Sequence, residues 1–135
     1  MQLGTKTLFL LISLMFFYAA HAEEKPEGVY KTNKEVKKIM EMMALPRFGL
    51  YQLSGQGAYT SKDFLKASKE VLKYAWKMKT VKAPDADFKR TNDEMLKALK
   101  PFEDALKSGK KEEIKNKWLV LSVKCNNCHA LYNIK

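Results

Sequence analysis

The C-terminal part of this sequence carries two cysteines and a histidine in the compact order Cys125-Asn126-Asn127-Cys128-His129. In a helix, residues three and four positions apart share a face, so Cys128 and His129 both lie beside Cys125. Two thiols at this spacing can bond to the vinyl groups on one edge of a haem, while the imidazole reaches the iron. The motif therefore predicts covalent attachment of one c-type haem through Cys125 and Cys128, with His129 as the proximal iron ligand.

Other kinds of site also use cysteines at this spacing. A structural zinc site needs four ligands, and the sequence after residue 22 offers two cysteines and one histidine. A thioredoxin-like dithiol begins a helix in a βαβ unit, and no strand pattern accompanies this motif. A redox-active or structural disulfide is the alternative that stays open.

The N-terminal residues predict export. Lys6 is followed by the apolar run Leu8 to Ala20, and Ala20-His21-Ala22 has the small-x-small pattern of a cleavage site. Because the run is short for a bilayer span, residues 1–22 are predicted to be a cleaved secretory signal peptide, with an uncleaved anchor as the alternative. Bacteria attach haem to CxxCH outside the cytoplasm, so we expect a periplasmic or other exported location, with no stable membrane span after cleavage.

Cleavage after Ala22 leaves one domain-sized chain in which His129 is the sole histidine. Bis-histidine ligation by one chain and a second haem are therefore not expected. The sequence has a formal net charge of +10, and loss of Lys6 lowers it by one. Such a charge favours acidic redox partner proteins or an anionic membrane surface, although lysines also simply solvate helix faces. No nucleic-acid partner is expected for an exported protein.

Four amphipathic helices are predicted in a haem domain over residues 32–135, after a loose leader over 23–31. The first helix begins at the capping box Thr32-Asn33-Lys34-Glu35 and kinks or ends at Pro46, and the second runs from Thr60 or Ser61 to about Lys79. The third runs from Asp85–Asp87 to the stop signal Ser108-Gly109, and Pro101 bends or shortens it. The fourth has Glu112 and Glu113 in its first turn.

The fourth helix has the clearest pattern. An a/d seam runs through Ile114, Trp118, Leu121, Cys125, Cys128 and Tyr132. Four amphipathic helices with short links predict an all-α fold, an antiparallel four-helix bundle. Because the seam puts the cysteines on the buried stripe, the haem is predicted to lie between the helices.

The C-terminal residues also resemble a known family. The stretch from Phe88 to Leu106, then Ser108-Gly109, Trp118 and the run from Cys125 to Tyr132, are similar to the last two helices of the cytochrome c′ superfamily. The resemblance implies a four-helix bundle with the haem near one end and His129 as proximal ligand. It also implies a homodimer through the first two helices, as many members form.

Members of this superfamily differ in the residue opposite the proximal histidine. In cytochromes c′ proper, an apolar side chain of the first helix covers five-coordinate iron that binds nitric oxide or carbon monoxide. In methionine-ligated relatives, a thioether of that helix completes six-coordinate iron for electron transfer. Here Met40 is the predicted distal residue and candidate axial ligand, with Ile39 and Met43 as neighbours on the same stripe. A methionine at helical spacing is also common as plain core packing.

Two features depart from the family pattern. Asn133 follows Tyr132 where cytochromes c′ commonly have a basic residue near the proximal imidazole. The first helix also lacks the usual Arg-Gln pair near the haem propionates, so Lys37 or Lys38 would have to take that place.

The sequence therefore predicts a monohaem cytochrome that works in electron transfer. The alternative is a five-coordinate cytochrome c′ that binds nitric oxide or carbon monoxide at an open distal site. An enzyme acting on peroxide or a nitrogen oxide would need a distal acid or base. No second histidine is left to serve after cleavage, so no enzymatic activity is expected.

Overall fold

The computed structural model describes residues 34–132, and every regular element in that range is helical. The helices are α1 (Lys34–Gly55), α2 (Lys62–Ala75), α3 (Ala86–Ser108) and α4 (Lys111–Leu131), with a short 3-10 helix, Trp76–Lys79, continuing α2. The predicted all-α class with four helices is confirmed. The signal peptide, the leader, the first two residues of the predicted capping box and Asn133 lie outside the described residues. Between residues 34 and 132, no helix combines the length and apolar character needed to cross a bilayer.

Local caps explain where α2 and α3 begin and where α3 ends. The Ser61 hydroxyl accepts a hydrogen bond from the amide of Phe64 at 3.1 Å, and the Asp85 carboxylate accepts one from the amide of Phe88 at 2.7 Å. Gly109 closes α3 with a φ of 66°, a left-handed conformation that suits a residue without Cβ. These starts and this stop agree with the sequence signals.

The two prolines inside helices do not end them. Helix α1 continues past Pro46 to Gly55, and α3 continues past Pro101 to Ser108. A proline removes one backbone hydrogen bond and crowds the preceding turn, which is a local cost. Residues beyond each proline offset that cost by burial, since Leu50 and Phe102 have no exposed surface. The predicted end of α1 at Pro46 and the predicted shortening of α3 at Pro101 are therefore wrong. The alternative, a kink or bend at each proline, stays a prediction.

The helices pack most extensively in consecutive pairs, α1 with α2 and α3 with α4. The predicted seam of α4 faces the core: five of its six members are buried and Cys125 is half-buried. The second helical segment ends differently from the prediction, because the chain tightens from α-helix to 3-10 helix at Trp76. Met78 in that 3-10 turn is nevertheless fully buried.

An aromatic cluster, formed by Trp118 with Tyr51, Phe64 and Phe102, fills the core beside the middle of α4. The ring centroids of these three lie 5.3, 6.3 and 5.7 Å from that of Trp118. Aromatic rings at such separations pack with specific edge-to-face or tilted geometry and bury large apolar areas. The cluster thus fixes α4 against α1, α2 and α3 two turns before Cys125.

Candidate haem site

A cavity of about 180 Å³ lies between the helices at the cysteine motif. It is lined by Met40, Glu41, Met43, Ala44 and Arg47 of α1, Val71 and Ala75 of α2, Met78 of the 3-10 helix, Asn92, Met95 and Leu99 of α3, and Leu121, Cys125, Cys128 and His129 of α4. The structure therefore brings both motif cysteines and the motif histidine to one mainly apolar space that all four helices enclose.

Burial determines the protonation of the two thiols. It raises the pKa of Cys125 to about 11, although the nearby Arg47 guanidinium acts in the opposite direction. Burial also raises the pKa of Cys128. Both groups are therefore thiols at neutral pH. Redox-active dithiols of the thioredoxin type instead have a lowered thiol pKa, so this environment disfavours the dithiol alternative.

His129 is half-buried at the edge of the same cavity. Burial lowers the pKa of its imidazole to about 4, and the positive charge of Arg47 acts in the same direction. The ring is therefore neutral at neutral pH. A neutral imidazole has a free nitrogen lone pair, which is the form that binds metal ions.

Two methionines of α1 reach the cavity, and not Met40 alone. Met40 is half-buried and Met43 is 7% exposed, and both line the space. Ile39 is buried but is not among the lining residues, and Met42 is 41% exposed. Both Met40 and Met43 are thus candidates for the distal side.

Met78 of the 3-10 helix and Met95 of α3 also line the cavity. Both are buried, with exposures of 0% and 5%. Unbranched, polarizable methionine side chains adapt to irregular spaces. They give the cavity a wall that can adjust to a large flat group.

Arg47 is the functional candidate that the sequence reasoning missed. Lys37 and Lys38, predicted to act near the haem propionates, are exposed and do not line the cavity, whereas Arg47 does. The spacing does indicate that Arg47 lies near the site, since Arg47 follows Met43 by four positions and so shares its helix face. A helix that ended at Pro46 would not carry Arg47 to the site, so the predicted end at Pro46 concealed this role.

Two polar atoms at this cavity are buried without a hydrogen-bond partner, Arg47 Nε and Asn92 Oδ1. The amide of Asn92 is held from the other side, because its Nδ2 donates to the carbonyl of Met78 at 3.0 Å. Buried polar groups are nearly always hydrogen-bonded in folded proteins. A bound group with polar substituents, or ordered water, would satisfy this unpaired donor and this unpaired acceptor.

A small polar network joins Arg47 to the cysteine motif. Its Nη2 donates to Asn126 Oδ1 at 2.8 Å and to the Tyr51 hydroxyl at 3.4 Å, and the Tyr51 hydroxyl donates to Asn126 Oδ1 at 3.1 Å. The guanidinium also lies 5.0 Å from the centroid of the Tyr51 ring, within cation–π range. This network, called the Arg47 cluster below, links α1 to the first residue after Cys125.

Beyond the motif, Tyr132 is fully buried and contacts α3. Its ring lies 5.2 Å from that of Phe88, and its hydroxyl donates to Asp85 Oδ1 at 2.6 Å. This bond and the amide of Phe88 lower the pKa of Asp85, while burial and the bond raise that of Tyr132. Tyr132 does not line the cavity. It anchors the end of α4 to the start of α3.

These residues fit a covalently attached haem. The two thiols, the neutral imidazole and two thioethers border one apolar space, and the unpaired polar atoms of Arg47 and Asn92 border it as well. A metal ion bound by side chains alone fits less well. Among residues 34–132, no group of three or more His, Cys, Asp or Glu side chains is arranged to hold one.

Comparison with known proteins found no protein-family model that matches the chain, and no curated protein or solved structure that is significantly similar to it.

Proposed function

We propose that this chain is an exported, monohaem c-type cytochrome that transfers electrons. One observation carries the proposal: the folded chain brings Cys125, Cys128 and His129 to one apolar cavity that methionines of α1 also line. In this proposal the four helices form an antiparallel bundle of the cytochrome c′ type, with the haem between them near one end. A bound haem would supply a reversible one-electron couple between ferric and ferrous iron.

The chain's own residues bind, orient and shield the cofactor. Cys125 and Cys128 would hold the haem covalently, and the neutral His129 imidazole of α4 would bind its iron. Met40 or Met43 of α1 would supply a second ligand to the iron. The aliphatic side chains of the cavity exclude water, and burial in a low-dielectric site is one means by which a protein sets a haem potential.

The natural partners in this proposal are acidic redox proteins. The sequence contains 25 Lys and Arg against 15 Asp and Glu, and charge complementarity accelerates the association of redox proteins. The rate of electron exchange with an acidic partner is expected to fall as the ionic strength rises. A rate independent of salt would count against a charge-steered encounter.

The experiment that tests the function is the absorption spectrum of the protein produced with a bacterial haem-attachment system. We expect covalent haem in the wild-type chain, its loss when both cysteines are replaced (C125S/C128S), and release of the chain into the periplasm after cleavage at Ala22. A wild-type chain that carries no covalent haem under these conditions would overturn the proposal.

The distal ligand is tested by carbon monoxide and by matched leucine variants. Sharp low-spin bands that do not respond to the gas indicate a methionine ligand and an electron carrier. Met40→Leu or Met43→Leu, whichever removes the ligand, then converts the iron to high spin. Broad high-spin bands in the wild type that sharpen with the gas would replace electron transfer by the alternative, a five-coordinate cytochrome c′ that binds nitric oxide or carbon monoxide.

A further inference from the structure

Arg47 is the only lysine or arginine among the described side chains that line the cavity. An arginine remains charged at every physiological pH. Its one charged counterpart in the lining is Glu41, an exposed residue, and none of the ion pairs found between residues 34 and 132 includes Arg47. The cavity therefore contains a positive charge that no carboxylate of residues 34–132 neutralises by direct contact.

The Arg47 cluster holds this charge in one place. The guanidinium is fixed by Asn126 at 2.8 Å, by the Tyr51 hydroxyl at 3.4 Å and by the face of the Tyr51 ring. These are neutral partners, so they orient the group without cancelling its charge. Asn126 lies between the two cysteines in the sequence, so the charge is tied directly to the segment that would carry the haem.

The charge also lies at the same cavity as the motif residues. Arg47 lines that space together with Cys125, Cys128 and His129, and its partner Asn126 directly follows Cys125. The guanidinium therefore borders the space that the haem would occupy.

We propose that Arg47, held by Asn126 and Tyr51, is a fixed positive charge that raises the reduction potential of the haem site. The inference rests on the proposed function. Gain of one electron, from a donor protein or from the titrant in an experiment, lowers the positive charge of the iron by one. A nearby cation that cannot move away destabilises the ferric state more than the ferrous state, and a low dielectric strengthens this effect. Arg47 is therefore a positioning and tuning residue, and not an iron ligand.

A merely structural role for Arg47 makes a different prediction. If the side chain only ties α1 to α4, then any substitution that breaks the hydrogen bonds lowers stability and leaves the potential unchanged. If its charge matters, the potential follows charge and not hydrogen-bond count. A charge-conserving and a charge-removing variant separate the two roles.

The test is a spectroelectrochemical titration of the haem-loaded protein and its Arg47 variants, alongside thermal unfolding. Arg47→Gln removes the charge and is expected to shift the one-electron equilibrium about tenfold toward the oxidised form, a fall of about 59 mV. Arg47→Lys keeps the charge and is expected to retain most of the wild-type potential, although both variants lose a similar amount of thermal stability. Tyr51→Phe, which leaves the charge in place, serves as the control for a lost hydrogen bond.

Asn126→Asp is a second route to the same charge change if Arg47→Gln does not fold. It places a carboxylate 2.8 Å from the guanidinium position and neutralises Arg47 without removing it, so the potential is again expected to fall. An unchanged potential in Arg47→Gln or Asn126→Asp, or equal shifts in the glutamine and lysine variants, would overturn the inference alone. A wild-type chain without covalent haem would overturn the proposed function and this inference with it.

Discussion

Helix α4 crosses two regions of the core that are built in different ways. Around Trp118, the aromatic cluster fills the space between the helices with rings in direct contact. Two turns further on, around Cys125, methionines and aliphatic side chains leave a cavity of about 180 Å³. The same apolar seam thus serves a packed core at one level and a binding space at the next. The spacing of apolar residues does not distinguish the packed region from the cavity. The side-chain type does, because aromatic rings fill the first region and methionines and aliphatic side chains border the second.

Large-to-small substitutions in the protein produced without haem test whether the aromatic cluster is packed more tightly than the cavity wall. Trp118→Ala is expected to lower the free energy of unfolding by about 3–5 kcal/mol, because it empties the centre of the aromatic cluster. Met95→Ala in the cavity wall is expected to cost about 2 kcal/mol, because that side chain already lacks neighbours on one side. Urea denaturation measures both. Equal losses would show that the two regions are packed alike.

The second test concerns pH and the cavity region. Because the folded-state pKa of His129 is about 4 and the unfolded value is 6.5, the unfolded chain binds more protons between these pH values. The free energy of unfolding of the haem-free protein should therefore decrease as pH falls from 6.5 to 4, by about 2 kcal/mol after discounting for the exposed part of the ring.

The control for this pH effect is His129→Gln, which cannot titrate. Urea denaturation between pH 7 and pH 4 should show a weaker decrease in this variant than in the wild-type protein. Trp118→Phe, a change in the aromatic cluster, should leave the wild-type pH dependence intact. Parallel curves for the wild type and His129→Gln would contradict the predicted shift.

A smaller effect is expected at the anchor beyond the cavity. Tyr132→Phe removes the bond to Asp85 and should lower the free energy of unfolding by about 1 kcal/mol at pH 7. The pKa of Asp85 is lowered in the folded state, so its contribution is present above the unfolded value of 3.8 and is lost as pH falls through the folded value. The difference between wild type and variant should therefore shrink below pH 3.8, as measured by urea denaturation. A difference that does not change with pH would mean that the carboxylate charge is not involved.

The smallest effect is expected on the solvent-exposed face of α3. Lys89 and Asp93 form an exposed ion pair at 2.6 Å, four positions apart. Lys89→Gln should change the free energy of unfolding by about 0.3 kcal/mol, because exposed pairs of this kind contribute little. This variant provides the baseline for the core substitutions, and the small difference should disappear in high salt. A loss above about 1 kcal/mol would show that the surface contributes far more than the comparison assumes.

Much of the framework could be predicted from local sequence signals. Ser61, Asp85 and Gly109 mark helix ends by short-range hydrogen bonding and backbone geometry, and the heptad spacing from Ile114 to Tyr132 identifies the buried face of α4. Such signals act within a few residues along the chain. These local signals predict the structure correctly here because the tertiary packing favours the same helix ends and the same buried face.

The features that escaped prediction depend on contacts between helices. The continuation of α1 past Pro46 depends on the burial of Leu50. The role of Arg47 depends on that continuation and on its hydrogen bond to Asn126, which is far away in the sequence. Met40 and Met43 share one stripe, so spacing could not choose between them. Contacts between residues far apart in the sequence determine these features, and a single sequence does not show which residues make such contacts.

The bond between Tyr132 and Asp85 has a consequence for the order in which the molecule assembles. It joins the end of α4 to the start of α3, while the tight turn at Gly109 joins their other ends. Contacts at both ends thus link α3 and α4, so this pair can form as one cooperative unit, the kind of local folding unit that opens and closes together. The cysteine motif belongs to this pair, whereas Met40, Met43 and Arg47 belong to the α1–α2 pair. The cavity thus lies between two helix pairs, and a covalent group held by the α3–α4 pair would offer a surface on which the α1–α2 pair docks.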